Sequence, residues 1–383
     1  MKIVLCTLLA TVTVLSLSSR VFAQGETAVP FLLISPDAGA GGMGEAATGL
    51  ADNANAIFWN PGGLAFLRGS QISLTHAPWL PEFGSDLSYD FLSFTHYLNS
   101  WDGNVGASIT YFNLGSFNRT TSASPTIIGT WHAYEFAITV GYGTQISKGL
   151  GIGANFRYIR SELAPFGAEQ EVGNGIASDV SFDLGLLYRP QHFALPLVGD
   201  LGNRLGLGLD LSNLGPNLYY IDQAQADPLP TNLRVGVALH LLKSQFNNLY
   251  VTLDLSRIMV HVQTDSTIGA INGVDTTWNY TNNVDPLPKS LITAWSAGGL
   301  KPVIVSFGAE YWYGSPRLIA LRWGYYKENP NFGGRNFMTF GAGIRYGIYW
   351  FDFSYISTFD QNNPLSNQLR FSLSLNLGGT NEF

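Results

Sequence analysis

The sequence predicts an all-β membrane protein: a small N-terminal helical segment followed by a closed antiparallel transmembrane β-barrel of about 14 strands. Apolar and polar residues alternate with a period of two from Ser70 onward, for example in Asn203–Asn213 and Leu369–Leu377. Charged residues make up only 12% of the chain, whereas aromatic residues reach 13%. Short and long connections alternate between the predicted strands, as expected of an outer-membrane barrel.

The first residues have the features of a secretory signal peptide. Lys2 supplies a positive charge, Ile3–Leu17 is apolar, and Val21-Phe22-Ala23 fits a cleavage site that would remove Met1–Ala23. This apolar stretch is shorter than the roughly 20 residues of a membrane-spanning helix. The single cysteine, Cys6, lies inside it, so the predicted mature chain has no thiol chemistry.

The segment between the signal peptide and the first strand has its own composition. It is rich in Gly, Ala and Asn and lacks strand alternation. Short helices are predicted near Gly44–Asp52 and Pro61–Phe66, the second capped by Asn60 with Pro61 in its first position. The predicted division of the chain is a signal peptide over 1–23, an N-terminal segment over 24–69 and a barrel over 70–383.

The strands of the predicted barrel follow from the alternation. Their approximate bounds are 70–77, 86–98, 103–113, 132–146, 149–161, 175–189, 203–213, 231–242, 248–260, 303–313, 316–326, 338–347, 349–358 and 369–377. Hydrocarbon offers no hydrogen-bond partners, so a closed sheet must pair its own backbone groups. The apolar set is therefore expected to face lipid, and the polar set is expected to face the lumen.

The connections between these strands predict which rim of the barrel faces outward. Short turns should lie on the periplasmic side and longer loops on the cell surface. The predicted long loops are 114–131, 162–174, 214–230, 261–302, 327–337 and 359–368. One link departs from this pattern. Its position in the strand order places 190–202 on the periplasmic side, where short turns are expected, but the link is long. The longest loop, 261–302, is predicted to contain a short amphipathic helix at Pro288–Ser296 and is either functional or unstructured.

Charged side chains lie on the polar phase of many strands and are predicted to face the lumen. They are Glu135, Arg157, Asp183, Asp210, Arg234, Asp254, Glu310, Arg322, Arg345, Asp352 and Arg370. One interpretation is a selective transport path. The other is a set of mutually paired charges that fill a narrow, plugged interior. Because both signs are interspersed, the second interpretation is favoured.

Aromatic residues predict two kinds of surface. Tyr311-Trp312-Tyr313 and Tyr349-Trp350-Phe351, near strand ends, are typical of the girdles at membrane interfaces, although aromatic residues in strands can also be core. Other aromatic and apolar residues fall in predicted surface loops and are candidate contacts for a partner. They are Pro78, Trp79, Leu80, Tyr219, Tyr220, Trp278, Tyr280 and Trp295.

Signals for an enzyme are weak. The six histidines have no metal-ligand spacing, no nucleophile elbow or phosphate-binding loop is present, and no cofactor or metal is predicted. Glycine pairs inside strands, such as Gly206/Gly208 and Gly341/Gly343, indicate close packing on the lumen side. The net charge of −7 argues against binding nucleic acid.

Several motifs resemble the FadL-like superfamily of 14-stranded barrels and, within it, the PorV family of type IX secretion. The N-terminal motifs are Phe31-Leu32-Leu33-Ile34-Ser35-Pro36-Asp37, Gly42-Met43-Gly44, Asn60-Pro61, Leu64-Ala65 and Ala77-Pro78-Trp79-Leu80. The C-terminal motifs are Gly308-Ala309-Glu310-Tyr311-Trp312-Tyr313, Leu321-Arg322-Trp323-Gly324-Tyr325-Tyr326, Gly341-Ala342-Gly343, Asn363-Pro364-Leu365 and Leu369-Arg370-Phe371-Ser372-Leu373. The resemblance implies that residues 24–69 form a plug, or hatch, in the lumen, with Gly42, Gly44, Asn60 and Pro61 as its motif residues.

The resemblance also implies a non-enzymatic role in the outer membrane. Members bind the C-terminal signal domain of secreted cargo, associate with a very large translocon barrel and pass cargo to a sortase-bearing attachment complex at the cell surface. Two departures leave the neighbouring PorQ branch open: Asn60-Pro61-Gly62 replaces the family's Asn-Pro-Ala, and 290–300 lacks an acidic stretch. The alternative function is a FadL-type transporter of hydrophobic small molecules, which needs an apolar lumen pocket.

Overall fold

The structure is a computed structural model. It describes residues 27–83, 86–121, 123–165, 174–196, 199–221, 226–271, 274–296, 298–359 and 363–378. The predicted signal peptide, 1–23, lies outside these residues, and the predicted division of the chain at 23/24 and 69/70 stays a prediction. No helix in the described part of the chain is long and apolar enough to cross a membrane.

The strands of the described chain are numbered in sequence order. They are β1 Ser70–Pro78, β2 Ser88–Leu98, β3 Gly103–Thr121, β4 Ser124–Ser147, β5 Leu150–Ala164, β6 Gly175–Tyr188, β7 Ala194–Leu195, β8 Gly199–Asp200, β9 Leu205–Leu214, β10 Asn232–Lys243, β11 Asn247–Ile258, β12 Val262–Ile271, β13 Val274–Val284, β14 Ile304–Tyr313, β15 Ile319–Lys327, β16 Asn336–Tyr346, β17 Tyr349–Thr358 and β18 Leu369–Leu377. Fourteen of them form one closed antiparallel barrel, in which β1 pairs with β18 from Ser70↔Leu377 to His76↔Phe371. The predicted fold class is confirmed.

The two faces of the barrel strands differ as the alternation predicted. On β11, Leu253 and Leu255 are 42% and 43% exposed, whereas Thr252 and Asp254, which alternate with them, are 2% and 3% exposed. Apolar side chains thus form the outer wall, which faces lipid in a membrane, and polar side chains line the interior. Closure leaves no unpaired edge in the hydrocarbon region.

The connections define two rims. Short turns at 99–102, 148–149, 244–246, 314–318 and 347–348, with the longer link 189–204, form the short-turn rim. The link 189–204, which departs from the predicted pattern of short turns on this rim, contains the small hairpin β7–β8. The opposite, long-loop rim carries the other connections, including the helices Pro81–Phe83 and Leu287–Thr293. The second of these overlaps the predicted helix Pro288–Ser296, but it begins at Leu287 and ends at Thr293.

Two predicted loops turn out to contain strands. Residues 114–131 extend β3 and β4 beyond their pairing with β2 and β5, and most of 261–284 is the hairpin β12–β13. Beyond the bilayer both faces of a hairpin contact water, so the alternation that identified the other strands is missing there.

The N-terminal segment occupies the interior. Its helices are Pro30–Leu33, Ala38–Gly41, Ala56–Trp59 and Pro61–Phe66. The backbone N–H of Ala28 donates to the carbonyl of Pro228 in a long loop, whereas Phe66 lies near the short-turn rim. The prediction of a helix at Gly44–Asp52 is wrong. This stretch consists of turns, and the N–H groups of Gly44, Ala47 and Thr48 donate to side chains of the barrel wall.

Candidate functional site

Glycines bring the N-terminal segment into backbone contact with the barrel wall. A Cβ added at Gly324 on β15 would lie 1.9 Å from the backbone nitrogen of Gly44, and one added at Gly42 would lie 3.0 Å from the Cα of Gly341. Gly44 also has a φ of +64°, a left-handed conformation that glycine adopts without strain. Any larger side chain at these positions would push the segment away from the wall.

Asn60 and Pro61 fix the end of the segment near β6. The side-chain amide of Asn60 donates to the carbonyl of Leu186 at 2.9 Å and to that of Thr48 at 3.1 Å, and its oxygen accepts from the N–H of Gly62 at 2.9 Å. This last bond caps the helix that begins at Pro61, as the sequence predicted. A single side chain therefore connects two parts of the segment with the wall.

Asp37 organises the first α-helix of the segment. Its carboxylate accepts hydrogen bonds of 2.6 Å from the N–H of Ala40 and from the indole N–H of Trp59. The first contact caps the helix Ala38–Gly41, and the second joins this helix to Ala56–Trp59. The motif Ser35-Pro36-Asp37 thus shapes the interior segment.

The charged residues predicted to face the lumen lie inside the barrel, and many of them pair. Arg157 forms a forked ion pair with Asp183, with a shortest distance of 2.6 Å, and also donates to Asn213. Glu135 accepts a hydrogen bond of 2.8 Å from the hydroxyl of Ser161. Fork-shaped arginine–carboxylate pairs hold both groups in a fixed geometry.

A second network lies across β14–β17. Arg322 pairs with Glu310 and with Asp352, both at 2.7 Å. The guanidinium of Arg345 lies 4.0 Å from the ring centres of both Trp312 and Trp350. The cation–π contacts and the ion pairs together fill this side of the lumen.

Other lumen charges bind the N-terminal segment directly. Arg370 on β18 pairs with Glu45 of the segment at 2.9 Å, and Asp254 on β11 accepts from backbone N–H groups of the segment. Arg234 lies 3.6 Å from Asp210. The wall charges therefore hold the segment in place, and this supports the interpretation of a paired, filled interior.

The interior cavities between segment and wall are small. Two of them have volumes of about 40 Å³ each, one bordered by Trp59, Glu310 and Arg322, the other by Leu33, Glu45 and Arg234. Pockets that bind small molecules usually measure about 300–1,000 Å³. By volume, each of these two cavities holds a few water molecules at most.

One aromatic prediction is partly wrong. Trp312 is fully buried and, with Trp350, contacts Arg345 inside the barrel, so neither tryptophan belongs to an interface girdle. Their neighbours Tyr313 and Tyr349 are exposed by 52% and 58% on the outer wall. Successive residues of a strand point to opposite faces, so the central tryptophan of each cluster faces the lumen when its two neighbours face the membrane.

The candidate loop contacts lie on the long-loop rim with different exposures. Tyr219 and Trp295 are 51% and 40% exposed, and Pro78 is exposed. Trp79, Leu80 and Tyr220 are half-buried, since Trp79 packs on Tyr89 and Phe112 and Tyr220 donates to Ser161. The side chains of Trp278 and Tyr280 lie outside the described part of the structure.

The rim also exposes apolar residues that the sequence prediction missed. Ile292 and Leu300, near the helix Leu287–Thr293, are 76% and 77% exposed, and Ile127 and Ile128 on the extended β3–β4 hairpin are 56% and 55% exposed. In the sequence, the adjacent pair Ile127-Ile128 in an otherwise polar segment could have indicated this exposed apolar surface. Beyond the bilayer such side chains meet water unless a partner covers them.

Fold and interior together define an integral outer-membrane β-barrel with a filled polar lumen. A family model described as "Type IX secretion system protein PorV" matches residues 20–265. The chain belongs to this PorV family of type IX secretion system proteins. Among curated proteins, none matches the sequence.

Solved structures show a similar barrel fold. The crystal structure of the Pseudomonas putida toluene transporter TodX is 12% identical and superposes with a TM-score of 0.50, covering 89% of this chain and 96% of TodX. A Pseudomonas aeruginosa FadL homologue is 12% identical with a TM-score of 0.44, covering 90% of this chain and 99% of that one. At such identities the likeness concerns the fold alone.

Proposed function

We propose that this barrel binds the C-terminal signal domain of secreted cargo at the type IX translocon and delivers it to the attachment complex at the cell surface. Membership of the PorV family supports this role in secretion. The observation that carries the proposal is the apolar surface of the long-loop rim, which includes Ile292, Trp295 and Leu300. In outer-membrane barrels this rim faces the cell exterior.

The long-loop rim, and not the lumen, offers the surface from which binding energy is available. The lumen is occupied by the N-terminal segment and its ion pairs, whereas the rim exposes large apolar side chains to water. Burying such side chains against a partner yields about 25 cal/mol per Å² of apolar area. A folded β-domain that docks from outside can use this surface without entering the barrel.

The other partners of the proposal use other surfaces. The large translocon barrel would pack against the lipid-facing wall, and the sortase-bearing complex would receive cargo from the long-loop rim. No catalytic step is proposed for this chain, since its family consists of secretion components. Membrane lipid contacts the remaining outer wall.

The alternative function, transport of hydrophobic small molecules, has the likeness to the FadL-like fold in its favour. A transporter of this kind needs an apolar pocket along the lumen. The two interior cavities of about 40 Å³ and the charges around them favour the cargo-binding role.

The test is affinity purification of the tagged protein from its own outer membrane in mild detergent. We expect the translocon barrel and secreted proteins with a shared C-terminal domain to be recovered. The double variant Ile292→Ser/Leu300→Ser should lower cargo recovery by about tenfold. Ile348→Ser is the matched control, because Ile348 is 42% exposed on the short-turn rim.

Two outcomes would contradict the proposal. Recovery of the barrel with hydrocarbon or lipid and no cargo would favour the transporter. Equal cargo recovery from the rim variant and from the control would show that Ile292 and Leu300 do not form the contact surface.

A further inference from the structure

A large cavity opens at the short-turn rim, on the side opposite the proposed cargo surface. Its volume is 520 Å³, within the usual range for ligand sites. It is lined by Phe66, Gln145, Gly149, Arg189, Gln191, Asn203, Leu205 and Lys243. Phe66 ends the helix Pro61–Phe66, and the other lining residues lie at or near the short-turn rim, so the cavity faces the periplasm when the long loops face the cell exterior.

The unusually long link 189–204 builds one wall of this cavity. The N–H of Arg189 donates to the carbonyl of Gly149 at 2.6 Å, and the N–H of Asn203 donates to that of Pro190 at 2.8 Å. The hairpin β7–β8 lies between these two anchors. The other periplasmic connections are short turns. The link 189–204 is longer, and its extra residues form one side of the cavity.

The cavity carries positive charge. The guanidinium of Arg189 lies 4.7 Å from the ring centre of Phe66 and donates to the carbonyl of Leu50. The ammonium of Lys243 lies 3.5 Å from the carbonyl oxygen of Asn203. No Asp or Glu is among the described residues that line the cavity. An anion placed here would meet two cations and no carboxylate on the lining.

Burial affects the two cations differently. Desolvation lowers the pKa of Arg189 to about 10, so its charge is retained at neutral pH but is poorly solvated. Lys243 is exposed at the mouth of the cavity. The carboxylate of Asp52 already interacts electrostatically with Arg189. An anion in the cavity would add to that interaction, while the exposed Lys243 would attract the anion from solution.

The remaining lining distinguishes between kinds of anion. The side-chain amides of Gln145, Gln191 and Asn203 offer both donors and acceptors, and Phe66 and Leu205 offer an apolar floor. Inorganic phosphate at neutral pH would use mainly donors and no apolar surface. A peptide uses donors, acceptors and apolar contacts at once.

We propose that this cavity binds an acidic peptide segment of a periplasmic protein, with its carboxylates at Arg189 and Lys243. This site lies outside the proposed cargo surface and does not depend on it. A contact here would join the barrel to a periplasmic partner while the other rim handles cargo.

The test uses the purified full-length protein in detergent micelles, which leave both rims accessible, and isothermal titration with a tetraglutamate peptide. Binding is expected, and it should weaken as salt is added. Lys243→Gln should weaken it by about tenfold, the effect of losing one charge-assisted hydrogen bond. Lys301→Gln removes an exposed lysine from the opposite rim and should leave binding unchanged.

Arg189→Gln is a second variant, and far-UV circular dichroism checks that it still folds. Because Lys243 is exposed and lies at the end of β10, its variant keeps the test valid even where Arg189→Gln does not fold. Absence of peptide binding by the wild-type protein would overturn the proposal. So would inorganic phosphate that binds as tightly as the peptide, or a Lys301→Gln variant that loses binding as Lys243→Gln does.

Discussion

Asp254, on the barrel wall, accepts a hydrogen bond of 2.8 Å from the backbone N–H of Thr48 in the interior segment. The same carboxylate oxygen accepts from the N–H of Ala47 at 2.9 Å. Asp254→Ala would leave both buried N–H groups without this acceptor, and we expect a loss of on the order of 3 kcal/mol in the free energy of unfolding. Denaturant titration in detergent measures it.

The control for this variant is Asp90→Ala. Asp90 is a carboxylate at an exposed position, where it contacts His76 at 2.7 Å. Its removal should change the free energy of unfolding by less than about 1 kcal/mol. Equal losses in the two variants would mean that Asp254 does not anchor the segment.

Gly324→Ala should displace the interior segment. The added methyl group would lie 1.9 Å from the nitrogen of Gly44, and backbone cannot yield as a flexible side chain would. Overpacking of this kind costs about 1–3 kcal/mol. Planar-bilayer recording should show an ion leak that the wild-type protein lacks. Gly129→Ala is the matched control, because nothing lies within 4 Å of its added Cβ, and a leak from both variants would refute the explanation.

Leu253→Arg should impair insertion into membranes. Leu253 is 42% exposed near the middle of β11, and a charge on the lipid face at mid-depth costs about 2–4 kcal/mol. The folded fraction recovered in lipid vesicles is the measurement. Leu300→Arg places the same charge on the long-loop rim, where the side chain is 77% exposed, and should insert normally. Similar defects would place Leu253 away from lipid.

The base of the hairpin β12–β13 should loosen in acid. Hydrogen bonds from Lys289, His261 and Thr293 hold the pKa of the Asp285 carboxyl well below its ordinary value of 3.8. Since the folded-state pKa is lowered, the stabilisation is complete above the ordinary value and is lost as pH falls through the folded one. Protection of the helix Leu287–Thr293 from hydrogen exchange, relative to the intrinsic chemical rate at each pH, should fall in that range. In Asp285→Asn this protection should be nearly independent of pH there, and an unchanged acid response would exclude Asp285 as the cause.

The strands inside the bilayer were predictable because lipid enforces a simple rule. Leu205, Leu207 and Leu209 alternate with glycines, and β9 indeed begins at Leu205. The hairpin β12–β13 was missed because its sequence lacks the apolar–polar alternation that identified the other strands. Its strands flank Asn272-Gly273, a pair typical of hairpin turns, so a local signal was present in the sequence.

The interior could not be derived from alternation. The turns at Gly44–Asp52 depend on Asp254, which is 206 residues from Thr48 in the chain. Alternation alone suggests that a charge is tolerated at Gly208, which faces the lumen. The structure places the carbonyl oxygen of Thr48 2.1 Å from a Cβ at that position, so a large side chain there would collide with the interior segment. Such long-range contacts leave no local pattern.

The seam between β1 and β18 has a consequence for assembly. The interior segment touches the wall backbone at Gly324 and Gly341 and is bonded to Arg370 of the last strand. These contacts involve β15, β16 and β18, so they form only when the C-terminal strands are in place. Ordering of the N-terminal segment and closure of the barrel by its last strand are therefore coupled events in folding.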